Sequence, residues 1–134
     1  MHAADYATTP SGGETCYLDE LNPAQRAAVT FGISSSGGAA PPLLVIAGAG
    51  SGKTKTLAHR VAHLILNGAD PRRILLLTFA RRMATEMTRR VEFICAQACA
   101  GRAASGHTVL AGAIGWSGTF HAVGARLLRM HAQS

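Results

Sequence analysis

Apolar positions along this chain alternate between short unbroken runs and helical spacing, and the changes of pattern mark out its elements. LLVIA at 43–47 and ILLLTF at 74–79 are unbroken and rich in strand formers, as expected of parallel strands buried on both faces. Leu57, Val61, Leu64 and Ile65 recur at spacings of four, three and one, which predicts one face of a helix ended by Asn67-Gly68. Asp70-Pro71 then turns the chain into the second run. Met83, Met87, Val91, Ile94 and Ala98 predict a longer helix from about Arg81 to Ala100, broken by GRAASG. HTVLAGAIGWSGTF is ambiguous in period and is expected to contain a third short strand. Phe120, Val123, Leu127 and Met130 mark a last helix.

Upstream, LNPAQRAAVTF carries a helix start signal, with Asn22 as N-cap and Pro23 at the first helical position. That helix should run to about Phe31 and lead into ISSSGGAAPP, residues 33–42, a linker of turn residues. Residues 1–20 show no period and read as a loose tail. The order strand, helix, strand, helix, strand, helix implies a parallel sheet with right-handed crossovers, so an α/β fold in one domain over residues 21–134.

Composition narrows the class. The chain is 134 residues long, 48% hydrophobic and 15% charged, which describes a globular domain rather than a disordered segment. Thirteen Lys and Arg against seven Asp and Glu give +6, a balance that favours a polyanionic partner, nucleic acid first. MHAADYATTP has no basic stretch followed by an apolar core, and no apolar run approaches a membrane span, so a cytoplasmic location and no membrane partner are expected. Cys16, Cys95 and Cys99 form neither a disulfide framework nor a zinc set. Cys95 and Cys99 lie one helical turn apart; a paired metal site there is conceivable, but packed, reduced thiols are the better reading.

The chemistry concentrates in AGAGSGKT: Ala47, Gly48, Ala49, Gly50, Ser51, Gly52, Lys53 and Thr54. It falls between an apolar run and an amphipathic helix, where a phosphate-binding loop belongs. Glycines at 48, 50 and 52 let successive N–H groups turn inward, and together with the helix N-terminus they prefer an anion. Lys53 would reach the β- and γ-phosphates of a nucleotide, and the Thr54 hydroxyl would join a Mg2+ shell. The general pattern asks for Gly where Ala47 stands.

Four stretches taken together resemble the UvrD/Rep-type superfamily 1 DNA helicases. LNPAQRAAV at 21–29 resembles their Q motif, and AGAGSGKT, Ala47 included, resembles their form of the phosphate loop. ILLLTFARRMATEMTRRV at 74–91 resembles motif Ia, and GTFHAVGARLLR at 118–129 resembles motif Ib. The resemblance implies a RecA-like phosphate-loop NTPase core, here incomplete, that uses ATP and Mg2+ and binds single-stranded DNA. In a complete protein it implies 3′-to-5′ translocation and unwinding. By the same resemblance Gln25 would read adenine, and Lys55 would stand near the nucleotide in a place the family often gives to arginine.

Thr78 and Phe79 would meet the DNA strand, with the phenyl ring stacked on a base, although the residues alone favour a core phenylalanine. Thr119, Phe120 and His121 would contact its backbone, and Thr119 also reads as an ordinary N-cap. Phe120 fits the buried stripe of its own helix as well. Arg81 and Arg82 depart from the polar and Lys residues usual at this point; they read equally as a solvated basic face or as phosphate contacts. Trp116 reads as packing before base stacking.

Hydrolysis would need an acidic pair after an apolar strand and an arginine from across the site. Of the seven acidic residues only Asp19-Glu20 is a pair, and no buried strand precedes it. The expectation is therefore the front of a helicase motor that ends before its catalytic acid, as in an incomplete gene or partial reading frame, with the remainder of the helicase as its natural partner. Alternatives are a nucleotide- and DNA-binding remnant without turnover, or another phosphate-loop NTPase such as a small kinase.

Overall fold

Three of the four α-helices described begin at a residue type that suits a helix start. A computed structural model describes residues 17–33, 40–99 and 114–132. Helix α1 spans Pro23–Thr30, with Asn22 in extended conformation as its N-cap. Asn22 Oδ1 accepts from the Gln25 N–H at 2.9 Å while Gln25 Oε1 accepts from the Asn22 N–H at 3.0 Å, a reciprocal capping box. Helix α2, Lys53–Leu66, starts directly after the glycine loop and ends at Asn67 and the left-handed Gly68. A 3-10 turn at Pro71–Arg73, capped by Asp70, leads to β1, Leu75–Thr78. Helix α3, Arg81–Cys99, is followed by β2, Trp116–Thr119, and α4, Phe120–His131.

β1 and β2 pair in parallel, in a register that sets Leu75 opposite Trp116 and Thr78 opposite Thr119. The α3 crossover between them gives the α/β arrangement expected from the order of elements. The ambiguous stretch before Phe120 does supply a strand. Cys16, linker residues 34–39 and the GRAASG break lie outside the described residues.

The run at 43–47 departs from its expected form. It is assigned no strand, and Leu44 and Ile46 are 81% and 87% exposed. A parallel strand exists only through its neighbours, and among the described residues the sheet consists of β1 and β2 alone. β1 is also less enclosed than an unbroken apolar run implies: Leu76 turns into the core while Leu75 turns the other way and is half exposed.

The core lies where α2 packs against α1 and α3. Val29 of α1, Ala58, Val61, Ala62 and Ile65 of α2, and Met87, Val91, Ile94 and Cys95 of α3 are buried there. The buried face of α2 is rotated from the expected one. Val61 and Ile65 are inside, but Leu57 is exposed and Leu64 only half-buried, while Ala58 and Ala62 replace them. Alanines leave room for neighbouring helices to approach closely, a demand that hydrophobicity alone does not reveal. On α3, Met83 is exposed and Ala84 is buried in its stead. On α4 only Val123 of the expected stripe is buried; Phe120, Leu127 and Met130 are exposed. Burial drives the Cys95 thiol up to about 11, with Cys99 adding to the shift. It is a packed, protonated thiol, and among the described residues no group of three or more His, Cys, Asp or Glu side chains could hold a metal ion.

Tyr17 and Leu18, counted with the tail on sequence, are buried in this core. The Tyr17 hydroxyl lies 2.6 Å from His63 Nδ1, within hydrogen-bond reach of α2. Desolvation, and then the nearby Arg60 guanidinium, hold the His63 pKa below the ordinary histidine value. A histidine whose folded pKa lies below its unfolded one takes up protons more readily when unfolded. Its contribution to stability is complete above the ordinary histidine range and is lost as the pH falls through it. Thermal unfolding should therefore move to lower temperature as the pH drops from 8 to about 5.5, a range that brackets the ordinary histidine pKa. The His63→Gln variant should lose part of that slope, and a slope unchanged by the substitution would remove His63 as its source.

Candidate nucleotide and nucleic-acid sites

The glycine loop meets α2 through two left-handed residues, Gly50 at φ 73° and Gly52 at φ 82°. Only glycine enters this region without a steric penalty, so the loop can curl tightly onto the helix end. Gly52 is the N-cap of α2 and, having no side chain, gives no side-chain cap. The first N–H groups of α2, those of Lys53, Thr54 and Lys55, have no intrahelical acceptor and suit an anion. Ala47, Gly48, Ala49 and Ser51 complete the loop, which closes a turn on itself: the Ser51 N–H donates to the Gly48 carbonyl at 3.2 Å, and the Ser51 hydroxyl bonds to the same oxygen. Lys53 is exposed and Thr54 half-buried, both in the first turn of the helix.

Gln25 is brought to this loop. Its Nε2 donates to the Ser51 carbonyl at 3.3 Å, while its Oε1 serves the capping box. An amide has two N–H donors and an oxygen with two lone pairs, so each end keeps one position for a base edge. A Cβ at Gly52 would stand 2.5 Å from Gln25 Nε2, so glycine at 52 serves both the backbone turn and the seat of Gln25. Lys55 makes a contact that the resemblance does not imply. Its ammonium donates to the Glu20 carbonyl at 2.9 Å and lies 3.9 Å from the Glu20 carboxylate, which fastens the segment before α1 to α2.

The second group of candidates converges at the C-terminal ends of the two strands. Thr78 and Thr119 are register partners, and the residues that follow them, Phe79 and Phe120, place their rings 5.5 Å apart at 46°. Phe79 is 94% exposed, so the core reading its residue type favours is overturned. Phe120 is also exposed, at 51%. Thr119 Oγ1 accepts from the Ala122 N–H at 3.2 Å, the N-cap role expected of it, and Thr78 Oγ1 donates to the Ala80 carbonyl at 3.0 Å. Arg81, Arg82 and His121 open α3 and α4 and are exposed. Trp116 is occupied otherwise: the Arg126 guanidinium lies 4.2 Å from its ring centroid, and Arg126 also donates to the Gly115 carbonyl at 2.9 Å.

Sequence reasoning missed Arg60. Its Nη1 reaches the carbonyls that end α1, and no local pattern of charge or period marks it for that task.

A small α/β chain with a glycine loop at a helix N-terminus and an exposed aromatic pair at the strand ends is thus the class these residues define. Residues 21–134 match the family described as UvrD/REP helicase N-terminal domain. DNA helicase II of Escherichia coli (strain K12) is 38% identical over 115 residues, 85% of this chain and 13% of that protein. ATP-dependent DNA helicase UvrD1 of Mycobacterium leprae (strain TN) is 41% identical over 116 residues, 86% of this chain and 12% of that protein. ATP-dependent DNA helicase PcrA of Leuconostoc citreum is 38% identical over 94 residues, 69% of this chain and 11% of that protein. The chain belongs to the UvrD/REP helicase family and spans only a small part of the length of these relatives.

Proposed function

We propose that this chain forms the ATP-binding and single-stranded-DNA-binding portion of an ATP-dependent DNA helicase, on a RecA-like phosphate-loop core. The observation that carries the reading is the junction of Gly50, Gly52 and α2, with Gln25 seated on the loop that it would share with a bound adenine. Lys53 would hold the β- and γ-phosphates as a point charge. The donor set suits Mg2+ as well: Thr54, a hard oxygen ligand at the helix start, would enter the shell of an ion that neutralises phosphate charge when bound. Phe79 and Phe120 offer faces on which bases of a single strand stack without regard to sequence, and Arg81, Arg82, Thr78, Thr119 and His121 would meet its phosphates and sugars. In the whole protein these sites would serve 3′-to-5′ translocation and unwinding in the cytoplasm, in partnership with the remainder of the helicase. No helix among the described residues is long and apolar enough to cross a membrane.

This chain alone should bind ATP and fail to hydrolyse it. Among the acidic residues described, Glu20 lies beside Lys55, Asp70 pairs with Arg72 and Glu86 pairs with Arg90, while Asp19 and Glu92 are exposed. None follows an apolar strand in a position to orient water on a γ-phosphate. Phosphate release by the purified 134-residue chain, with and without an oligothymidine strand, should stay at background while a fluorescent ATP analogue binds saturably. Strand-dependent turnover that disappears in Lys53→Ala would contradict the account of hydrolysis, and an absence of analogue binding would contradict the proposed function itself.

A further inference from the structure

Helix α1 is held at one end to the glycine loop and at the other to the helix that follows it. It has eight residues, far fewer than the roughly 12–15 at which an isolated helix becomes even marginally stable, so its position depends on its attachments. At its N-terminal end Gln25 rests on the Ser51 carbonyl. At the other end Arg60, two turns into α2, brings Nη1 to 2.8, 3.3 and 2.9 Å from the carbonyl oxygens of Ala28, Val29 and Phe31.

Those three carbonyls belong to the last turn and the C-cap of α1, where helix carbonyls have no intrahelical donor and the dipole is negative. The last turn of α1 contains no basic residue of its own. The cation that completes it therefore comes from α2, the same helix whose first residue is Lys53. Nη1 has two hydrogens for three acceptors, so the longest contact is shared. Val29, one of the residues whose carbonyl Arg60 reaches, is fully buried.

We propose that Arg60 is a positioning residue for the nucleotide site, fixing α1 against α2 so that Gln25 stays seated on the phosphate loop. The inference rests on the nucleotide reading above and assigns Arg60 no contact with ATP. A guanidinium suits the task because the Nη1 hydrogens are fixed in the plane of the group, where an ammonium would have to order three freely rotating donors. Loss of these bonds frees one end of a two-turn helix, and its other end then loses a fixed place over the loop.

The test is a double-mutant cycle on the full 134-residue chain, read as affinity for ATP by competition against a fluorescent analogue and, in parallel, for inorganic tripolyphosphate. Gln25→Ala and Arg60→Ala should each weaken ATP binding by about fivefold to tenfold, the scale of one or two lost hydrogen bonds. Tripolyphosphate, which has no base, should change by less than about twofold in both, since the donors that hold it remain. The double variant should bind ATP about as well as either single one, because both changes remove the same seat. Far-UV circular dichroism checks folding; if Arg60→Ala unfolds, the same cycle is run with Arg60→Lys, for which a smaller, equally non-additive loss is expected.

Losses that add in the double variant would overturn the proposal, as would an Arg60 variant that binds ATP normally while Gln25→Ala does not. An equal loss for tripolyphosphate would overturn it too, by assigning Arg60 to general stability. If Gln25→Ala leaves ATP binding unchanged, the adenine reading of Gln25 falls first and the role of Arg60 with it.

Discussion

Replacing Phe79 with alanine will weaken single-strand binding by about 1–3 kcal/mol, roughly fivefold to over a hundredfold in Kd, because base stacking on an aromatic side chain is worth that much per base. The ring is 94% exposed, so its removal costs little stability. Its tilted contact with Phe120 at 5.5 Å is the main loss to the fold, worth about 0.5–1.5 kcal/mol. Binding and stability thus separate: affinity for an oligothymidine strand falls steeply while the unfolding transition moves modestly. Phe120→Ala should follow in the same direction with a smaller loss, since its ring is more enclosed. Fluorescence anisotropy at one fixed salt concentration is the suitable assay, because the phosphate contacts proposed for Arg81 and Arg82 would vary with salt and stacking would not to the same degree. An affinity unchanged in Phe79→Ala would take the aromatic pair out of the strand site.

Replacing Lys53 with alanine will weaken ATP binding at least about tenfold, since a hydrogen bond to a charged group contributes about 1.5–3 kcal/mol. Lys53 is exposed and makes no ion pair among the described residues, so the substitution should leave the unfolding midpoint close to its original value. Alanine is also a good helix former at the first position of α2, which keeps the helix start intact. A Kd for Mg-ATP that does not move in Lys53→Ala would detach the nucleotide from the loop. A chain that loses ATP binding only because it unfolds would show the loss in circular dichroism first.

The elements that sequence reasoning placed well are those whose signals are local. Asn22 and Pro23 mark the start of α1 within two residues, and the helix begins there, with Gln25 adding a capping box that the sequence reading did not include. Gly52 before Lys53 and Asn67-Gly68 after Leu66 bound α2 in the same way. What failed depended on neighbours. LLVIA has strand composition, but without an adjoining strand among the described residues it remains unpaired and exposed. The face of α2 shifted from Leu57 and Leu64 to Ala58 and Ala62 because close helix packing selects small side chains, which a search for large apolar residues passes over.

The candidate sites divide along the same line. The glycine loop proposed to hold phosphate is a contiguous motif, and the chemistry expected of it follows from its glycines and its place before a helix. Phe79 could be separated from a core residue only through the family resemblance, and its exposure beside Phe120 then came from the fold. The contacts made by Lys55 and Arg60 show the limit. One residue is engaged by Glu20, 35 positions earlier, and the other by the end of α1, about thirty positions earlier, and long-range pairings of this kind leave no mark in local composition. Tyr17 is a similar case, buried in the core and within bonding distance of His63 although its surroundings in sequence read as tail.

On the proposed function, ATP binds at the start of α2. The most direct test is amide NMR of the isotopically labelled 134-residue chain during a titration with Mg-ATP. Saturable shifts concentrated on Gly50, Gly52, Lys53 and Thr54, with the side-chain amide of Gln25 moving at the same ligand concentrations, are the predicted result. Saturable shifts centred instead on the groove between α2 and α3, lined by Ala58, His59, Phe93 and Ile94, or a spectrum that does not respond to millimolar Mg-ATP, would contradict it.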